Sequence, residues 1–338
     1  LIRTIYYKIN KMFFIKSPGG ELHYCTKTKK GNILLTDFNH EACISPFERI
    51  ANKHEINIKY WSLSTSNNTY TIDYNKLLEK IDNNTSLIVL PHVSNILGNI
   101  IDIKYLVNEI KKINPQTKIL VDGVAYFPHC SVDVNDYGVD FYVVSFYKFC
   151  GLRISALYIK DDEFNESINN INHYFFDNTI NIGQKLQLGG INFECASSIF
   201  GLKYYLLDFA RFFNYKDSKN NNKELIFDRQ LVEFIYEKIH YYEKIFLNMF
   251  SKFIENNNNI EILQCNNTPK VPIYSILFKD YNVNNVNLIL NEFGILCKTG
   301  TFYCDRLLDK LKINKENGVL RISLMHYNGF DECTKISL

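Results

Sequence analysis

The order of the apolar runs is what most constrains this chain. Through the first half, short β-branched segments alternate with stripes of helical period. "NILLT" (32–36) is followed by "EACISPFERIANKH", "INIKYWS" (56–62) by "YNKLLEKI", and "SLIVLP" (86–91) by "IKYLVNEIKKI". "KILVDG" (118–123), "DFYVVS" (140–145) and "SALYIK" (155–160) complete the series. A strand too uniformly apolar to alternate is buried on both faces, and a helix between two strands lets them lie parallel. The pattern predicts an α/β fold with a mainly parallel sheet covered by helices on both sides.

From about 193 to 257 the pattern turns helical, in "FECASSIFGLKYYLLDFARFF" and "LIFDRQLVEFIYEKIHYYEKIFLNMFSKFIE", with an Asn-rich break at 218–222. Strands return in "PIYSILF" (272–278), "GILCK" (294–298) and "GVLRISL" (318–324). This divides the chain into a large α/β domain over 1–217 and a smaller α+β domain over 218–338, joined through a long helix at about 225–257. With 338 residues, 46% of them hydrophobic, there is material for one large core or two linked ones. The opening "LIRTIYYKINKMFFIKS" is basic and aromatic; it suits an amphipathic helix entering the fold or the tail of a targeting segment.

Charge and cysteine usage exclude several classes. Lys+Arg 38 against Asp+Glu 36 leaves +2, which implies no polyelectrolyte affinity for nucleic acid or membrane surfaces. No apolar run reaches the roughly 20 residues of a membrane span. The nine cysteines are scattered and odd in number, without a C-x-x-C pair. That pattern suits a reducing compartment, cytoplasmic or organellar rather than secreted, and argues against a zinc knuckle.

Ligands of an open parallel sheet collect at the carboxyl ends of its strands. There this chain sets His40 after the first run, Ser94 and Asn95 after "LIVLP", Asp122 at the end of "KILV", and Ser145 and Lys148 after "FYVV". Each has an ordinary reading: His40 as a helix cap, Asp122 as turn chemistry, Lys148 as a surface charge paired with Asp140. Together they suit a phosphorylated aromatic aldehyde. A buried lysine has a free lone pair for a carbonyl, and a carboxylate holds a pyridine nitrogen protonated. A nucleotide-binding reading is disfavoured, because no G-x-G-x-x-G follows the first strand.

At these residues the sequence resembles the class V aminotransferases of fold-type I pyridoxal-phosphate enzymes, and most closely their cysteine desulfurase-like branch. The resemblance is carried by "DFNHEAC", "HVSNILGNIIDI", "ILVDGVAYFPHCSVDVNDYGVDFYVVSFYKFCG", "LGGINFE", "GILCKTGTFY" and "GVLRISLMHYN". It implies a sheet of the seven-stranded type, pyridoxal 5'-phosphate as cofactor, an amino-acid substrate and a homodimer. It makes Lys148 the Schiff-base lysine and Asp122 the partner of the pyridine nitrogen. His40 would stack on the ring, Asn95 would contact its phenolic oxygen, and Ser145 and the backbone of Gly183, Gly189 and Gly190 would hold the phosphate. Arg321 would bind the substrate carboxylate.

Departures bear on the activity. Ala125 stands where relatives carry Gln or His, Tyr147 where His often precedes the lysine, and Gly190 where a threonine is common. Leu152 and Ser155 replace a proline and a glycine. In the "TGxxC" pattern of desulfurases the sulfur-carrying cysteine falls at Tyr303, with Cys304 next to it as the alternative carrier. The family's phosphate loop should precede residue 31, and "SPGGELHYCTKTKKG" does not match it, so the large domain is expected to be incomplete at its N-terminus. The expected activity is cysteine desulfurase-like cleavage of a C–S bond. A different aminotransferase or lyase reaction, and a non-catalytic scaffold, are the alternatives.

Overall fold

The computed structural model describes residues 31–66, 69–160, 192–216, 225–255 and 257–337. The opening aromatic segment and "SPGG" lie outside them. The first half runs β1 (Asn32–Thr36), α1 (Ser45–His54), β2 (Asn57–Trp61), β3 (Ser64–Ser66), β4 (Thr69–Thr71) and α2 (Tyr74–Leu78). It continues through β5 (Thr85–Pro91), α3 (Ile103–Ile113), β6 (Lys118–Asp122), α4 (Val134–Tyr137), β7 (Phe141–Ser145) and β8 (Ser155–Ile159). Six strands form the main sheet in the order β2-β1-β5-β6-β7-β8, where seven were expected; the count is of the described residues. Every pairing is parallel except β7 with β8. The strand order reverses between β1 and β5, which makes the crevice beyond their carboxyl ends the natural ligand site.

Period-two alternation distributes each strand between two cores. Leu34, Ile88, Leu90, Ile119 and Val121 point to one face, where they meet Leu106, Val107 and Ile110 of α3. Ile33, Leu35, Leu87, Val89 and Leu120 point to the other, against Phe47 of α1 and Ile44. Each such aliphatic side chain contributes about 1.5–3 kcal/mol on burial, so a one-residue slip of any central strand would be severely penalised. Asp102 caps α3 by accepting the Tyr105 N–H at 2.9 Å, which fixes where the strip of apolar positions begins.

The second half comprises α5 (Phe193–Phe212), α6 (Arg229–Glu255), β9 (Ile260–Ile262), β10 (Ile273–Phe278), α7 (Val283–Glu292), β11 (Lys298–Gly300), α8 (Asp305–Lys310), β12 (Val319–Ser323) and α9 (Phe330–Ser337). Its four strands form an antiparallel sheet, β11-β12-β10-β9. The strand expected at 294–298 starts only at Lys298. The preceding residues close α7 instead: Gly294 takes a left-handed φ of 73° and Ile295 N–H bonds Leu290 O at 2.9 Å. Among the described residues no helix is long and apolar enough to cross a membrane, and the cysteines are all free.

The two sheets share a core. Leu263, Leu307, Leu308 and Val319 join the cluster that holds Leu34 and Ile96. The loop after β5 is wedged between them: Ser275 Oγ donates to Ile96 O at 2.6 Å, and the Asn99 amide bonds both the N–H and C=O of Cys265. Gly98 is required there, since at its φ of 74° a Cβ would stand 2.8 Å from Ile273 O.

Candidate active site

Beyond the end of β1 the chain makes one 3-10 turn, Glu41–Cys43, capped by His40. The Ala42 N–H donates to His40 Nδ1 at 3.1 Å, so that nitrogen is an acceptor and the neutral ring carries its proton on Nε2. Burial keeps the imidazole below its ordinary value, against the pull of Asp122 and with the push of Lys148. His40, in extended backbone just before the turn, and Cys43, at its end, face the same way.

That way lies a cleft of about 660 Å³, counting its open mouth. Asn39, His40, Cys43, Asn95, Asp122, Ala125, Ser145, Tyr147 and Lys148 all line it, with Ala42, Val93, Val124 and Val143 as apolar wall. Residues from the ends of β1, β5, β6 and β7 therefore converge, as the order of the strands requires.

Asp122 ends β6, paired in register with Val143 of β7. Its Oδ1 accepts the Val124 N–H at 3.0 Å and its Oδ2 the Cys43 thiol at 3.1 Å. Gly123 follows because a Cβ there would lie 2.2 Å from the buried Tyr142 ring. Lys148 closes a 3-10 turn (Phe146–Lys148) directly after β7. Burial lowers its amine below the usual lysine range; Asp122 opposes the shift and Arg321 adds to it. Ser145 is buried, its hydroxyl 2.9 Å from that of Ser155.

The loop after β11 closes over this group. Asn95 Nδ2 donates to Phe302 O at 2.9 Å, and Asn95 Oδ1 accepts the Cys304 thiol at 3.1 Å. Glu41 N–H donates to Tyr303 O at 2.9 Å, while Arg306 bonds Glu41 through Nε and Nη2 and also reaches Glu48. These anchors hold Phe302 and Tyr303 at φ 53° and 58°, a left-handed pair that costs about 1–3 kcal/mol per residue without glycine. Arg321, on β12, stacks its guanidinium 4.0 Å over the Phe302 ring and, among the described residues, its side chain donates once, to Asn95 O at 3.0 Å. Among the described residues the rest of its five donors have no partner, an arrangement that suits a carboxylate.

Most of the residues singled out in the sequence thus meet: His40, Asn95, Asp122, Ser145 and Lys148 line one cleft, and Arg321 bonds its rim. Gly190, like Gly183 and Gly189, lies outside the described residues. Cys304 is 1% exposed, caps α8, and has its thiol pushed up to about 12 by burial. Tyr303 takes the outer face instead, 68% exposed, its ring 4.9 Å from that of His40. Sequence reasoning missed Cys43 and the pairing of Ser145 with Ser155. The signal for Cys43 was its place three residues after His40 in a short polar corner.

The chain is similar in sequence and in fold to known proteins. Residues 21–172 and 229–336 match the family described as aminotransferase class-V. The chain is 28% identical over 310 residues to the aminotransferase-like protein FGM3 of Gibberella zeae, covering 90% of this chain and 70% of that one. It is 26% identical over 309 residues to the cysteine desulfurase-like protein ustD of Aspergillus flavus, covering 89% and 64%. Its fold superposes on the cysteine desulfurase CsdA from Escherichia coli with a TM-score of 0.76 at 17% identity, over 98% of this chain and 75% of that one. A C-DES mutant with glycine linked to its PLP cofactor gives a TM-score of 0.69 at 13% identity, over 99% and 77%.

Proposed function

The chain belongs to the class-V aminotransferase family of pyridoxal-phosphate-dependent enzymes, in its cysteine desulfurase-like branch, and from that premise we propose that it transforms an amino acid at its α-carbon, with Lys148 as the catalytic amine. The observation that carries this reading is the meeting of Asp122 and Lys148 in one cleft, the amine lowered by burial. The donor set fits the cofactor: a carboxylate, an amine, a neutral imidazole and small apolar walls suit a flat heterocyclic aldehyde.

When bound, pyridoxal 5'-phosphate supplies an electron sink for the pair left at the α-carbon. Asp122 holds the proton of the ring nitrogen, its carboxylate fixed by the Val124 and Cys43 donors. Lys148 would hold the cofactor at its aldehyde carbon, and its free amine would take and return the proton of the substrate α-carbon. Burial favours the uncharged amine, the form that can accept a proton. His40 covers one ring face and excludes water. Ser145, its hydroxyl partnered by that of Ser155, would offer a hydroxyl to the phosphate, and Arg321 would offer guanidinium N–H groups to the substrate carboxylate.

Sulfur transfer through Cys304 finds no support in its burial or its raised thiol, since a persulfide carrier must reach the substrate as a thiolate. The reading therefore stops at α-carbon chemistry on an amino acid, with C–S cleavage needing another acceptor for the sulfur. A homodimer belongs to the proposal, supported by Phe193, Phe200 and Tyr204 exposed along one side of α5. Adding pyridoxal 5'-phosphate should give a near-violet absorbance band in the wild type that disappears in Lys148→Ala. A colourless wild type would refute the enzyme reading in favour of a scaffold.

A further inference from the structure

One buried thiol touches the carboxylate at the centre of the site and was assigned no role by the resemblance. Cys43 is packed beside Phe47, Leu35 and Val89 in the core cluster on the α1 face, and it also lines the cleft. Its Sγ donates to Asp122 Oδ2 at 3.1 Å. The opposite oxygen, Oδ1, accepts the Val124 N–H at 3.0 Å. Both oxygens are thus tied from the protein side, one by backbone and one by a side chain.

We propose that Cys43 is a positioning residue for Asp122: its S–H locks the rotation of the carboxylate so that the remaining lone pairs face the ring nitrogen of the cofactor. The inference rests on reading Asp122 as that nitrogen's partner.

Three features of the chain argue for it. One short segment brings both the thiol and the His40 ring to the cleft, so the residues that would cover the cofactor ring also set the carboxylate. Burial and the neighbouring Asp122 hold the thiol well above its usual range, so it remains a donor rather than a second anion beside the carboxylate. A neutral thiol is also a weak donor. It orients Asp122 while leaving its charge available to a protonated ring nitrogen, which a lysine or arginine at this place would compete for.

The test is an absorbance titration of the full chain with pyridoxal 5'-phosphate, and with the analogue in which the ring nitrogen is replaced by C–H. Cys43→Val keeps an apolar side chain in the core and removes the donor; Cys43→Ser keeps a donor. The expected result is about three- to tenfold weaker binding of pyridoxal phosphate by C43V, the loss of one modest hydrogen bond. Wild-type binding of the carbocyclic analogue should be unchanged in C43V, and C43S should restore the pyridoxal phosphate affinity to within about twofold. If C43V does not fold, C43A takes its place in the same comparison. Equal affinity of wild type and C43V for pyridoxal phosphate would overturn the proposal. So would equal weakening for both ligands, or failure of C43S to restore binding, because each assigns Cys43 a packing role alone. A wild type that binds neither ligand would instead refute the cofactor reading on which the proposal stands.

Discussion

His92 gives the fold a measurable sensitivity to acid. It follows β5, is 3% exposed, and lies flat on Tyr126 with ring centroids 3.4 Å apart and planes 7° from parallel. Its Nδ1 is 2.7 Å from the Tyr142 hydroxyl, and its backbone N–H bonds Asp122 O at 2.8 Å. Burial pushes this imidazole down to about 3 from its ordinary 6.5. In the folded chain it therefore stays neutral as pH falls, while in the unfolded chain it protonates near 6.5. The unfolded state binds the extra proton, so stability is lost as pH drops from about 6.5 toward 3, at up to about 1.4 kcal/mol per pH unit. Between pH 7.5 and 5 the loss from this one residue is about 2 kcal/mol. His92→Phe retains the stack but orphans the Tyr142 hydroxyl, at a cost of about 1–3 kcal/mol at pH 7.5. Its deficit relative to wild type should then shrink by about 2 kcal/mol at pH 5, since the variant has no imidazole to protonate. Urea unfolding followed by the single buried tryptophan, Trp61, measures both differences, and the other titrating groups cancel in the comparison. The same deficit at both pH values would refute the reasoning.

Two further outcomes follow from the site. Native protein treated with iodoacetamide near pH 8 should carry no label on Cys304, with labelling there appearing only after unfolding; peptide mass spectrometry reads this, and rapid native labelling would revive Cys304 as a sulfur carrier. Arg321→Gln should raise KM for an amino-acid substrate about 10- to 100-fold, the loss of a charge-assisted carboxylate contact, with little change for the corresponding amine lacking the carboxylate. Equal effects on both compounds would remove Arg321 from substrate binding.

Much of this architecture is legible in the sequence because hydrophobic periodicity dominates the energetics. The six runs from "NILLT" to "SALYIK" each fall on a strand of the main sheet; β1, β5, β6 and β7 are buried on both faces, while β2 and β8 are its half-buried edges. The rim residues were legible by position: a parallel sheet sends the chain segments after β1, β5, β6 and β7 to one edge, so His40, Asn95, Asp122 and Lys148 had to be near one another. What escaped depends on dihedral angles that composition does not encode. Nothing in "GTFYC" announces two successive left-handed residues without glycine, yet those angles turn Tyr303 outward and Cys304 inward. The start of β11 at Lys298 was hidden because "GIL" is apolar enough for a strand while Gly294 closes the preceding helix. Cys43 was hidden because a cysteine in a short corner looks like packing until the phase of the turn is known. Ser155, with Leu152, reads in the sequence as loosening the turn that presents Lys148, and its hydroxyl instead partners Ser145 across the β7–β8 ladder.

The most direct measurement is borohydride reduction of the pyridoxal-phosphate-treated protein, followed by peptide mapping. Pyridoxyl label on Lys148, lost when Asp122 is changed to Ala, is the expected result. Label confined to other lysines, with Lys148 unmodified, would contradict the assignment of this cleft as the catalytic centre.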